Sequence, residues 1–443
     1  MAHALTANIP FVACPRIRQD DCVRQPTRAD PRHDASRNHA DDDVPAPRSP
    51  ACPPRPPSLM SPPLSFACRR DTFRIGIDAA AYELPGARVE IEAWAAEHGY
   101  PAERAAAIAR AGSRYFHVAS DTSETELAIA AVQRLLDTSR SSAKQIGAIV
   151  HVHTQPFSVP PAPRSLPHEV AAHCGIAPLW MGSIAPLASA SIATGIEAVR
   201  ALMRRHAQLD AALVVSSDRA YGEDTRMRQD RGVQCDGAAA MLLVRNSTRN
   251  RLGGIALSTS APAYRDADAA GYETGFDGAP EAGFESSFDS RLDSRLDSRL
   301  DSRLDSRFDS RFESAFESRL GERHRAGFAP HARAPSWPVT REVIDAAVAM
   351  EPHPLADYAL LLPPNVDLPG WDALCREMRL PRERLFAANI HARGHACCSD
   401  FPINLADAGL DALALGQHVI GVMQSSRGAH AALTLHPASR HDD

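Results

Sequence analysis

The chain has 443 residues, 44% of them hydrophobic and 23% charged, with a formal net charge of −6. That is enough for one large domain or two medium ones with full cores, and the weak acidity gives no electrostatic footprint for nucleic acid or a membrane surface. Lys144 is the sole lysine, which excludes any mechanism needing a second one, such as a Schiff base at another position.

Residues 1–71 are rich in Pro, Arg and Asp, with runs such as Asp41-Asp42-Asp43 and Cys52-Pro53-Pro54-Arg55-Pro56-Pro57. Such a tract buries too little apolar surface to offset its ordering entropy and is expected to be disordered. Met60, just upstream of the first strand-like run, is a candidate start. Four of the nine cysteines (Cys14, Cys22, Cys52, Cys68) lie in this tract, and the others show no paired CxxC spacing. Neither a disulfide framework nor a zinc ribbon is indicated. With no bilayer-length apolar stretch and no apolar signal core in the first thirty residues, a soluble, cytoplasmic protein is expected.

The folded part opens with a strand-like run, Phe73–Asp78, followed by amphipathic helical stretches at Glu90–Ala96 and Ala102–Arg110. Ser123 and Glu126 form a capping-box pattern ahead of an apolar-periodic helix, Leu127–Leu136. Ile146–Val152 reads as a buried strand and Leu166–Cys174 as a short helix. The small-residue turn Ala188-Ser189-Ala190-Ser191 then opens a helix whose Ile192, Ile196, Val199 and Leu202 recur at helical spacing. A reactive side chain on such a turn meets free backbone N–H groups and the positive end of the helix dipole. Strands at Ala212–Val215 and Ala239–Val244 follow. Alternating strands and helices predict an α/β layered fold, with a first half over 72–250 and a second over 251–437.

Between about 262 and 335 the pattern breaks. Phe288–Phe312 repeats apolar-acid-Ser-Arg every four residues, as in Leu292-Asp293-Ser294-Arg295. As a helix this would set Asp on Asp and Arg on Arg at i,i+4, which is destabilising. The segment reads as a flexible, dispensable insertion. Alternation resumes with the helix Arg341–Met350, strand Tyr358–Leu362 and helix Trp371–Met378. After a loop over Asn389–Asp400 come the helix Leu405–Leu415 and the strands Val419–Met423 and Ala431–Leu435.

The stretch Ile184–Ala198 resembles the nucleophile segment of the β-ketoacyl-ACP synthase III family of the thiolase superfamily, with Ser189 where that family carries cysteine. Ala109–Arg114 with Phe116-His117-Val118-Ala119, Ile146–Thr154, and Cys235-Asp236-Gly237-Ala238-Ala239-Ala240 are similar to further family segments in the same order. The resemblance implies a layered αβαβα fold of two duplicated halves and a dimer, either homodimeric or paired with a related synthase. It also implies acyl-CoA or the phosphopantetheine of acyl carrier protein as donor, with no permanently bound cofactor and no metal.

The family's catalytic histidine and asparagine are not kept. Pro364 stands at the histidine position in Pro363-Pro364-Asn365, and His395 at the asparagine position in Gly394-His395-Ala396-Cys397-Cys398-Ser399. The family's C-terminal glycine-rich turn is replaced by Gln424-Ser425-Ser426-Arg427-Gly428. A Ser189–His395 pair is chemically sensible because a hydroxyl needs a base, with Asp400 or Asp367 to orient the imidazole. The competing reading is a small residue in a retired site. Cys235, Cys397 and Cys398 are alternative nucleophiles, and His391, His395, Cys397 and Cys398 together suggest zinc ligands, though not at a spacing that fixes a site. His151 and His153 read as polar lining on one side of a strand. Arg110 and Arg114 are candidate contacts for the donor's phosphates, or simply solvated surface arginines. The expected function is acyl transfer in fatty-acid-like or polyketide metabolism, with condensing activity doubtful. The alternative is an inactive partner subunit of an active synthase.

Overall fold

The computed structural model describes residues 63–67, 71–86, 88–154, 160, 163–220, 226–227, 231–259, 337–425 and 428–438. The tract before residue 63, the insertion with its Phe288–Phe312 repeat, and Ser426-Arg427 lie outside these residues.

Twelve strands account for the framework of the described residues. They are β1 (Leu64–Ala67), β2 (Ile75–Glu83), β3 (Arg88–Glu90), β4 (Tyr115–His117), β5 (Ile146–Val152), β6 (Trp180–Ile184), β7 (Ala211–Asp218), β8 (Gly237–Arg245), β9 (Arg251–Thr259), β10 (Tyr358–Leu362), β11 (His418–Gln424) and β12 (Ala429–His436). Ten of them share a sheet in the order β10-β11-β12-β9-β2-β8-β7-β5-β6, with β1 on β9, and β3 and β4 form a separate pair. The strand Leu64–Ala67 falls inside the tract read as disordered; its alternating Leu64 and Phe66 register on Leu257 and Ile255.

Each half repeats one plan. In the first, β6, β5 and β7 run parallel and β8 turns back antiparallel between β7 and β2. In the second, β10 and β11 are parallel and β12 turns back between β11 and β9. The counterpart of edge strand β6 is reduced, among the described residues, to an isolated bridge between Leu361 and Leu385. A single pair, Gly76 with Arg251, joins the halves across β2 and β9.

Three helical layers and the two halves of the sheet make five layers. Outermost on the first half are α3 (Glu124–Thr138) and α4 (Leu166–His173), whose Leu127, Val132, Leu135 and Val170 pack on β5, β7 and β8. The capping box forms as its sequence predicts: Glu126 N–H donates to Ser123 Oγ, and Ser123 N–H to Glu126 Oε2 at 2.8 Å, together stabilising the helix start by about 1 kcal/mol. On the far side, α6 (Trp337–Ala349) and α7 (Leu368–Glu377) cover the second half with Val343, Ile344, Trp371 and Leu374. The central layer is α5 (Ser191–Arg205) with the helical run Asp400–Asn404, Leu405–Gly409 and Leu410–Ala414; Ile192, Ile196, Val199, Phe401, Leu405 and Leu413 share one core with strands of both halves. At Gly195 a Cβ would stand 2.7 Å from Val152 Cγ1, so only glycine lets α5 lie this close to β5. The layered, duplicated αβαβα arrangement is thus observed. No helix among the described residues is long and apolar enough to cross a membrane.

Two segments differ from their sequence reading. Asn389–Asp400 is not a plain loop: it holds α8 (Ala388–Ala392) and a 3₁₀ turn at Cys397–Ser399. The helix expected from Leu405 already starts at Asp400 and passes through a π-helical turn at Leu405–Gly409.

Candidate active site

Ser189 lies in the 3₁₀ turn Ala188–Ala190 that leads into α5, only 5% exposed. Ala188, the residue before it, has φ +49°, a left-handed conformation that costs an alanine roughly 1–2 kcal/mol. Cys398 Sγ donates to the Ala188 carbonyl at 3.2 Å, bracing the turn from below. The turn sets Ser189 at the positive end of a fifteen-residue helix.

His395 arrives from the second half. Its backbone is clamped on both sides, with N–H donating to Val233 O and C=O accepting from Cys235 N–H, each at 2.9 Å. The ring nitrogen Nε2 is 3.4 Å from Ser189 Oγ, and Nδ1 is 2.5 Å from Asp400 Oδ2. Asp400, 2% exposed, accepts three further bonds: Oδ2 from Asn365 N–H at 2.7 Å, Oδ1 from Ala396 N–H at 2.7 Å and from Asn365 Nδ2 at 3.2 Å. A carboxylate so filled with donors makes His395 Nδ1 the protonated nitrogen. The lone pair on Nε2 then faces the serine, the tautomer a general base needs. A Ser–His distance of 3.4 Å is looser than a formed hydrogen bond and is common before substrate tightens a site.

Burial alone lowers the pKa of His395, but the carboxylates of Asp400 and, farther off, Asp218 outweigh it, and the net shift is upward from 6.5. The sign has two consequences. A raised folded pKa makes protonated His395 stabilising below about 6.5, a contribution lost as pH rises through the folded value. Base catalysis runs the other way. Any serine chemistry assisted by His395 is expected to increase with pH and level off above a pKa higher than 6.5, which a single-turnover pH profile measures. A flat profile across that range would exclude His395 as the base.

Of the two carboxylates that the sequence offered to His395, the structure selects Asp400. Asp367 instead caps α7 through Gly370 N–H and pairs with Arg231 at 2.9 Å. Two of the three cysteine alternatives, Cys235 and Cys397, sit in surroundings that disfavour a thiolate. Burial pushes the Cys235 thiol far up, and its Sγ donates to Asp236 O; burial and then the Asp218 charge push Cys397 well up. Neither is a thiolate near neutral pH, so neither is an activated nucleophile. His391 is on α8 with its ring edge-on to Tyr115, and among the described residues it forms no ligand group with His395, Cys397 and Cys398. His151 and His153 do share one side, stacked at 4.8 Å, with burial and then His153 holding His151 down to about 3. Arg110 is exposed at the end of α2 (Ala102–Arg110), while Arg114 is engaged with Glu90 at 3.0 Å.

Pro364 does line the pocket beside Ser189, which it shares with Cys397, Cys398, Phe401, Val422 and Met423 and which is too narrow to admit a water molecule. Two contributors were not legible. Asn365, next to Pro364, orients Asp400, and Asp218 at the end of β7 accepts from Thr154 N–H at 2.7 Å and Cys398 N–H at 3.4 Å. Both lie far from Asp400 in sequence, and no spacing links them.

No family model and no curated protein matches the sequence. Similar solved structures include ChlB3, an acyltransferase (18% identical, covering 83% of this chain and 98% of that one, TM-score 0.59). Others are FabH, the 3-oxoacyl-(acyl carrier protein) synthase III of Pseudomonas aeruginosa PAO1 (17%, 83% and 99%, 0.56), and a variant of OleA of Xanthomonas campestris (12%, 82% and 98%, 0.56). At such identities the likeness establishes the fold and not the chemistry. The chain has the thiolase-like fold, with a serine from its first half facing a histidine and an aspartate from its second.

Proposed function

We propose that the protein is an acyltransferase that carries its acyl group on Ser189. The line Ser189–His395–Asp400 is the observation that carries this reading. His395 Nε2 takes the hydroxyl proton as Ser189 Oγ attacks the thioester carbonyl of acyl-CoA or acyl carrier protein. The departing thiolate then takes that proton from the imidazolium, leaving an acyl-serine ester. In the second step an oxygen, nitrogen or thiol acceptor gives its proton to His395 and attacks the ester, and the proton returns to Ser189. Asp400 holds the tautomer and stabilises the imidazolium, while the α5 N-terminus favours the oxyanion. The apolar walls Phe401, Val422 and Met423 suit an acyl chain once the narrow pocket opens. Exposed Arg110 is available to donor phosphates; Arg114 joins it only by releasing Glu90. The reading keeps the cytoplasm, fatty-acid-like or polyketide metabolism, and a homodimer or a heterodimer with a related synthase.

The acyltransferase ChlB3 and the synthases among the structural neighbours support a thioester donor. Condensation is a different matter. It needs donors on the malonyl thioester oxygen, and Pro364 supplies none. Turnover of malonyl-ACP to a β-ketoacyl product is expected to fall at least ~10²–10³ below that of a condensing enzyme, as a direct product assay would show.

Intact-protein mass after incubation with a panel of acyl-CoAs tests the main proposal. One acyl adduct, mapped to the peptide holding Ser189, is expected. An adduct confined to a cysteine would overturn it. So would no adduct from any donor, especially if a related synthase needed this chain for activity, as an inactive partner subunit would require.

A further inference from the structure

At the end of β11 remote from Ser189, three histidines converge. His418 opens β11, His436 closes β12, and His353 comes from the loop between α6 and β10. One ring nitrogen from each lies within 4.8 Å of the others, and His418 Nδ1 and His436 Nδ1 are 2.8 Å apart. Metal–nitrogen bonds of ~2.0–2.1 Å in a tetrahedral site put neighbouring donor atoms about 3.3 Å apart. One pair is already closer than that and no pair exceeds 4.8 Å, so binding needs side-chain shifts of up to about 1.5 Å.

The surroundings are those of ligands rather than of a simple histidine pair. His436 Nε2 faces Glu351 Oε2 at 3.3 Å, with both side chains under one-tenth exposed. Yet that nitrogen and Glu351 Oε1 are buried without a hydrogen-bond partner. His353 Nδ1 faces Asp357 Oδ2 at 3.9 Å. Carboxylates behind metal-ligating imidazoles fix their tautomer and raise their basicity. At Gly253 a Cβ would stand 2.4 Å from His436 Nε2, so the bare backbone makes room for that ring. Burial, then His436 and His353, hold the His418 pKa down to about 4, leaving its lone pair available at neutral pH. Arg251, whose charge also disfavours the imidazolium form of His418, is opposed there by Asp357.

We propose that His353, His418 and His436 form a binding site for a divalent transition-metal ion of the zinc class, with Glu351 as the positioning carboxylate behind His436. Imidazole ligands suit zinc and its first-row neighbours. The ion would tie the α6–β10 loop to β11 and β12 roughly 17 Å along β11 from Met423, at about 3.3 Å per residue. It has no part in the chemistry of Ser189.

The full chain, stripped by chelator and titrated with Zn²⁺ and with Co²⁺, tests this. One tight equivalent, visible Co²⁺ ligand-field bands of a low-coordinate nitrogen site, and a higher melting temperature are expected. His353→Ala and His418→Ala should abolish that equivalent, and Glu351→Gln should weaken it ~10–100-fold; His395→Ala should leave it unchanged. His353 is partly exposed, so its variant tests the site even if His418→Ala fails to fold. Binding unaltered by His353→Ala would place the metal at other cysteines or histidines and overturn the assignment, as would the absence of a tight equivalent.

Discussion

Ser189→Ala is expected to abolish the acyl adduct, and Asp400→Asn to slow its formation by ~10³–10⁴, the scale seen when the carboxylate of a Ser-His-Asp line becomes an amide. The two variants fail for different reasons. Without Ser189 there is no atom to acylate. In the Asp400→Asn variant, an amide with one oxygen and one NH₂ group stands where four donors converge: His395 Nδ1, Asn365 N–H, Asn365 Nδ2 and Ala396 N–H. Either the imidazole turns to its other tautomer or a buried backbone N–H goes unpaired, at about 1–3 kcal/mol. Losing the carboxylate also removes the main force opposing burial at His395, so the acidic limb of the pH profile should move to lower pH. Rapid-quench mass spectrometry and thermal melts together separate these effects. An adduct surviving Ser189→Ala would remove the serine from the mechanism.

The second large effect is on stability. Arg226→Ala is expected to cost ~3–5 kcal/mol, because it leaves a buried carboxylate without its counter-charge. Arg226 grips Asp236 through two bonds of 2.8 and 2.7 Å, and the side chains are 2% and 0% exposed. Asp236 also accepts from Ala119 N–H and Ala220 N–H, each at 2.7 Å. It thereby ties the start of β8 to the ends of β4 and β7, close to Asp218. Arg226→Met combined with Asp236→Asn should lose less than the sum of the single changes, since the unpaired charge is gone. Urea unfolding of the four proteins measures this; additive losses would show that the pair is not coupled.

Strong local signals were the readable ones. The capping box at Ser123 and Glu126 and the apolar runs Ile146–Val150 of β5 and Ala211–Val215 of β7 announced their elements because local preference and tertiary burial agree there. Strand β9 escaped notice because Gly253 and Gly254 interrupt it, and glycine inside a strand is ordinarily a weakening residue. In the central helix Pro402 and Gly409 look like breakers. Pro402, however, lies in the first turn, where no intrahelical N–H is required, and Gly409 falls in the π-helical turn. At the site, the resemblance placed Ser189 and His395 together, but the choice between Asp400 and Asp367 depended on the turn at Cys397–Ser399. No periodicity encodes that turn: it rests on a left-handed Cys397 with φ +54°.

The sulfur atoms around the pocket bear on covalent inhibition. Cys397 and Cys398 are buried beside Ser189, and burial keeps Cys397 protonated. Alkylating agents that silence a cysteine-dependent synthase by capturing its thiolate find no such anion at Cys397. They would modify more accessible thiols such as Cys174 and leave the proposed acyl transfer intact. Electrophiles designed for serine hydrolases, sulfonyl fluorides and phosphonates among them, match a hydroxyl backed by imidazole and carboxylate. A pair of reagents, one for each class, would distinguish this protein from cysteine-dependent synthases in a mixed extract.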